Sequence, residues 1–232
     1  MEIAPEVFAK ARKLNRPAVE ALFAGVFPSV VRMARGLCGR EDVAEGVVRF
    51  VMVRAAAILP KWRDATAAER WFLHHTVLTA RRAVSHEPTA KGDLLATGSA
   101  DARYLAFVRA LRQLPFQQRE AVTLHYGEKF NPRYLAVAMD CSTGAAQTHL
   151  DAGVTALRMV AGNDFQALID HAAAAYNHLG PAPDAVMPSV GRWVRKGLRP
   201  HRLRRLARRA VIVLLLLGLA FAAWKWRARL GW

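Results

Sequence analysis

Two groups of side chains in this 232-residue chain have types and spacings suited to a polyanion. Trp71, His74, His75, Arg81 and Arg82 recur at steps of three and four, which brings 71, 75, 78 and 82 onto one helical stripe. Flat rings on such a stripe can stack on unpaired bases, and guanidinium groups can neutralise phosphates. Lys61, Trp62 and Arg63 stand just before that helix. Further on, Asp140 and Cys141 form a tight turn, and Ser142 is an N-cap that opens a helix carrying Thr143, Gln147, Thr148 and His149. A capped helix points its N-terminal dipole at a phosphate and its first exposed side chains at base edges, where Gln can read adenine through two hydrogen bonds. Arg133, on the short helix before the turn, is a further candidate cation.

Other chemistries find little support. His74 and His75 have no further His, Cys or acidic residue at ligand spacing, so they read as a pair on a helix face and no metal site is assigned. Cys38 and Cys141 lack CxxC spacing and occupy apolar positions. They read as core thiols, which excludes a zinc knuckle or a disulfide scaffold. No Ser/His/Asp set, phosphate loop or carboxylate pair stands out, so the chain is expected to be no enzyme and to need no cofactor.

The elements that must hold these residues are helices. Apolar residues recur with helical period nearly everywhere and no strand signal appears. In a first module, Leu22, Val26, Val30, Met33 and Leu37 step along a helix that Gly39 ends, with a break or kink expected at Pro28. Glu41 and Asp42 open the next helix, whose buried stripe is Val43, Val47, Phe50/Val51 and Ile58, and Pro60 ends it. A third helix spans about 67–84. A polar stretch at 87–103 without sustained period reads as a linker. In the second module, helices run from about 101 to 113, from 116 to 127, from Asn131-Pro132 to about Met139, and onward from Ser142. The last two, joined by a tight turn, have the helix-turn-helix pattern. On the pattern alone, a three-helix domain that never touches DNA fits as well.

Charge is concentrated at the C-terminus. The chain carries 34 Lys and Arg against 18 Asp and Glu, a net charge of +16. Twelve of those cations lie from Arg192 onward, where there is no acidic residue, so the preceding 191 residues are nearly balanced at 22 basic against 18 acidic. A polyanionic partner, nucleic acid or anionic membrane, is therefore favoured over a cationic one. Residues 210–224 (AVIVLLLLGLAFAAW) carry no charge and would form about 22 Å of helix. With apolar and snorkelling flanks, and Trp224, Trp226 and Trp232 at an interface, a membrane-spanning helix over 206–226 is expected. The basic residues before it place the body in the cytoplasm and the C-terminus outside the bacterial inner membrane. The alternative is an apolar helix packed on the body or on a partner protein.

The stretches LPFQQREAVTLHYGEKF and LAVAMDCSTGAAQTHLDAGVTALR resemble the promoter-recognising C-terminal domain of bacterial RNA polymerase sigma factors, of the compact extracytoplasmic-function type. The stretches LFAGVFPSVVRMARGLCGREDVAEGVVRFVMVRAAAILPKW and ERWFLHHTVLTARRA resemble the preceding, polymerase-binding domain of that family. The resemblance covers about residues 18–160. It implies an all-α chain with a helical domain at 18–86 and a helix-turn-helix domain at 104–160, preceded by an N-terminal segment (1–17) and followed by a basic extension (161–205) outside the family pattern. It also implies RNA polymerase core and promoter DNA as partners, with an anti-sigma regulator as a further one. Polymerase binding would fall to Asp42, Glu45 and Arg49. Gly46, Arg49 and Phe50 depart from the acidic, amide and acidic residues usual there. Downstream promoter contacts would fall to Lys61, Trp62, Arg63, Trp71, His74, His75, Arg81 and Arg82, and upstream contacts to Arg133, Ser142, Thr143, Gln147, Thr148 and His149. Asp140 stands where the family's turn usually has Gly.

Overall fold

In a computed structural model of the chain, residues 3–84 and 92–229 are described, with side chains omitted at 202, 205 and 220–229. Among these residues every element is helical: α1 (Pro5–Arg12), α2 (Arg16–Cys38), α3 (Glu41–Ile58), α4 (Ala65–Val84), α5 (Ala102–Gln113), α6 (Phe116–Glu128), α7 (Pro132–Met139), α8 (Thr143–Ala161), α9 (Phe165–Asn177) and α10 (Pro183–Arg229).

Helices α2, α3 and α4 pack on one another as the first module, with α1 lying across α2. Of the break or kink expected at Pro28, a break does not occur: α2 runs unbroken from Arg16 to Cys38. Phe27, Val30 and Val31 beside it are buried, so core packing holds the helix together across one missing backbone donor. By length and composition α2 could also cross a membrane, but 61% of its apolar window is buried, as befits a core helix. Phe50, expected on the buried stripe of α3, is 51% exposed; Val47 and Val51 carry that stripe.

The second module is α5–α8, and α9 completes it by burying Phe165, Leu168, Ile169, Ala172 and Tyr176. The two modules form one body. Helix α7 packs on α4. Arg81 forks onto Glu120 at 2.8 and 2.6 Å, and Arg32 onto Glu128 at 2.8 and 3.1 Å. Arg112, ion-paired with Asp93, also donates to the carbonyls of Gly36 and Leu37. From Gly92 onward the stretch read as a linker packs on the body: Leu95 is buried, and its carbonyl accepts from the Tyr104 hydroxyl at 2.7 Å. Residues 87–91 of that stretch lie outside the described residues.

The extension beyond residue 161 joins this core. The Tyr176 ring lies against Gly36 of α2 and Gly127 of α6, where a Cβ on either would collide with it. Its hydroxyl donates to Glu128, the partner of Arg32, at 3.0 Å. Desolvation in this wholly buried position raises the phenol pKa well above its ordinary value, so it stays a donor. Helix α10 then runs along α3, with Val190, Val194 and Leu198 buried. Beyond residue 203 it carries exposed apolar side chains from Val211 to Leu219. Trp224, Trp226 and Trp232, expected at an interface, lie outside the described side chains.

Candidate nucleic-acid interface

The α4 face is built from rings that hold one another. Trp71 stacks on His75 with centroids 4.0 Å apart and planes at 19°, and the His75 Nδ1 lies 3.1 Å from the Trp71 carbonyl oxygen. Trp62 meets Trp71 at 5.4 Å and Phe72 at 5.5 Å. Trp71, His74 and His75 are partly exposed, whereas Trp62 is 93% removed from solvent and supports Trp71 from below. Two polar atoms here, Trp62 Nε1 and His74 Nδ1, are buried without a hydrogen-bond partner. Burial, and then the neighbouring His74, push the His75 pKa below its usual value, which keeps the stacked imidazole neutral.

The cations around this face divide into two sets. The sequence points to Arg81 as a DNA contact, but its guanidinium is engaged with Glu120, a carboxylate only 4% exposed. Hydrogen bonding to Glu120 raises the Arg81 pKa. Lys61, Arg63 and Arg82 are exposed, with Arg63 paired to Asp64 at 2.8 Å.

The second face is the turn and first turns of α8. Asn131 caps α7 by accepting from the Tyr134 amide, and Asp140 ends it with φ 58° and ψ 53°, a left-handed conformation that Asp tolerates. The Ser142 hydroxyl accepts from the Ala145 amide at 3.1 Å and so caps α8. Ala146, Leu150 and Leu157 hold α8 to the core and turn Thr143 and Thr148 outward, with Gln147 and His149 half-buried. Gln147 donates to Asp151 at 2.7 Å, and Thr148 donates to the Gly144 carbonyl at 3.0 Å. Arg133 is exposed on α7. The turn packs beside the end of α4, so the two faces adjoin at Arg81.

On α3, Asp42, Glu45 and Arg49 are exposed along one edge, with Phe50 beside them. A hydrogen bond from Arg40 is the main cause of the lowered pKa of the Asp42 carboxyl. Among the described residues no three His, Cys, Asp or Glu side chains are grouped to hold a metal. Burial pushes the Cys38 thiol up to about 12. Sequence reasoning missed Glu120 and Glu128, whose roles come from partners 39 and 96 residues away.

The class of domain follows from α5–α8: a helical domain with a capped second helix after a tight turn, the helix-turn-helix arrangement. Residues 104–157 match the family described as Sigma-70, region 4. Comparison with the curated proteins and with the solved structures gave no match. The second module is thus similar to region 4 of the sigma-70 family.

Proposed function

We propose that this chain is a sigma-factor-like transcription initiation protein. In this reading it binds RNA polymerase core and promoter DNA, and its C-terminal helix tethers it to the membrane. The observation that carries it is the region-4-type domain at 104–157, with its capped α8 carrying solvent-accessible Thr143, Gln147, Thr148 and His149. The aromatic face of α4 supports a second contact, with unpaired bases, since stacking on Trp and His is indifferent to base identity. The exposed edge Asp42, Glu45 and Arg49 is the candidate polymerase contact. The proposal has no catalytic step: phosphate neutralisation, groove contacts and capture of unstacked bases supply the energy.

The tether reading rests on the run of apolar residues Val211–Leu219, which is exposed among the described residues, and on the basic residues before it. A cytoplasmic body with the C-terminus across the inner membrane is the orientation those cations favour. An anti-sigma regulator remains a further proposed partner.

A second reading has one observation in its favour. Gly46, Arg49 and the exposed Phe50 replace the residues usual on the polymerase-binding helix, and α10 lies along that same helix. A membrane-anchored helix-turn-helix regulator that has lost polymerase binding would carry such changes. Pull-down of purified core polymerase by the detergent-solubilised chain separates the two. Capture above background supports the initiator, and DNA binding without capture supports the regulator. Cell fractionation with and without residues 192–232 tests the tether: the full chain is expected in the membrane fraction and the shortened one outside it.

A further inference from the structure

We infer that one end of the first module is a docking surface for an anionic phospholipid bilayer, an inference that rests on the tether reading. Its basis is the way α10 is fixed to the body. At its start α10 sits by the end of α2, where Arg35 donates to the carbonyls of Leu179 and Gly180 and pairs with Glu41 at the start of α3. Fourteen residues into α10, Gly197 lies so close to α3 that a Cβ would come within 2.5 Å of both the Val53 carbonyl oxygen and Ala56 Cβ. His201 Nε2 then lies 2.6 Å from the Ala57 carbonyl oxygen. Helix α10 therefore runs parallel to α3 and leaves the body at the end of α3.

That end is basic. Beyond Ile58 come Lys61 and Arg63, both exposed. Helix α2 runs opposite to α3, so its start, at Arg16, lies at the same end. Helix α1 joins them there, with Arg12 donating to the Arg63 carbonyl at 3.0 Å. Lys10, Arg12, Lys13, Arg16, Lys61 and Arg63 thus share this end and are all exposed. Among the described residues the acidic groups facing it are fewer: Glu6 is exposed, Glu20 pairs with Arg16, Asp64 with Arg63, and Glu69 accepts from the Ile3 amide. A cleft of about 390 Å³ opens between α1 and residues 63–65, bordered by Phe8, Arg12, Lys13, Arg63 and Asp64.

The distance to the lipid follows from the helix. From His201 to Ala210, the first residue of the uncharged run, α10 rises about 13 Å at roughly 1.5 Å per residue. The headgroup layer occupies about 5–8 Å of that. The basic end is left within about one Debye length, ~8 Å at physiological salt, of anionic headgroups. Exposed Arg204, Arg208 and Arg209 fill the interval. Each cation near an anionic surface strengthens attachment about fivefold. Lys61 and Arg63 are also candidate DNA contacts, so one edge cannot serve bilayer and DNA together.

The test is amine acylation of the full chain in nanodiscs of phosphatidylcholine alone or with phosphatidylglycerol, read residue by residue. Lys129 is the internal reference. Its neighbour Glu128 pairs with Arg32, sixteen residues along α2 from the basic end. Labelling of Lys10, Lys13 and Lys61 relative to Lys129 is expected to fall at least threefold in the anionic discs and to recover in 0.5 M salt. Insertion of the chain with equal labelling in both discs overturns the docking surface and leaves the tether standing. A chain that enters neither disc overturns the tether and the docking surface together.

Discussion

The two candidate DNA faces adjoin, yet they are made from opposite materials. On the face formed by α4 and Trp62 just before it, large rings pack edge and face against one another, and two buried polar atoms lack partners. On α8, the side chains are small and polar, and Gln147 and Thr148 already bond within their own helix. A rigid aromatic platform suits bases that have left the stack, because it gains contact area at little entropic cost. A slim, self-satisfied helix suits insertion into a groove, but it brings few cations and so little phosphate attraction. On the proposed function, the comparison predicts that affinity and base selection are divided between the modules: the first would hold opened strand, and the second would select duplex sequence.

The largest expected effect comes from the joint between the faces. Arg81→Ala strands the Glu120 carboxylate in a buried site, and loss of one partner from such a pair costs about 2–4 kcal/mol. Denaturant unfolding should show that loss, with Arg81→Lys recovering part of it. An unchanged midpoint would mean that the modules do not depend on this pair.

Next is Trp71→Ala, which should weaken binding of single-stranded DNA by about 1–3 kcal/mol while leaving duplex binding unchanged. Anisotropy titrations with matched single and double strands separate the two. Gln147→Ala should do the reverse, with a loss of about 1 kcal/mol confined to duplex carrying the preferred sequence. Equal losses on both substrates in either variant would break the division of labour.

The stack also predicts a pH dependence. His75 has its folded pKa depressed below 6.5, so the unfolded chain takes up the proton first as pH falls. Stability is therefore full above about pH 7 and declines as pH drops through 6.5. Melting temperatures between pH 8 and 5.5 should show the decline, and His75→Gln should flatten it. The smallest effect is at the turn: Asp140→Gly relieves a left-handed residue and should stabilise by about 0.5 kcal/mol, read as a small rise in Tm.

Much of this arrangement is legible in the sequence because it is local. Helical spacing of Leu22, Val26, Val30, Met33 and Leu37 gives α2, and all five are buried. The Asn131 and Ser142 caps and the left-handed turn at Asp140 follow from residue chemistry within four positions. What escapes is long-range. Pro28 breaks a helix in isolation, but core packing on α2 outweighs one lost hydrogen bond. Phe50 fits the apolar period and still faces outward. The extension after residue 161 gives no sign that Tyr176 would enter a notch between Gly36 and Gly127, because that notch exists only once both modules are folded. Trp62 and Trp71 look alike in sequence, and only the packing assigns one to support and the other to the surface.

The most direct test of the central claim is run-off transcription with purified core polymerase, the detergent-solubilised chain and a library of genomic DNA fragments. The account predicts transcripts that start at discrete sites sharing an upstream and a downstream element and that vanish when the chain is omitted. Transcripts with the same start sites in the presence and absence of the chain would contradict it.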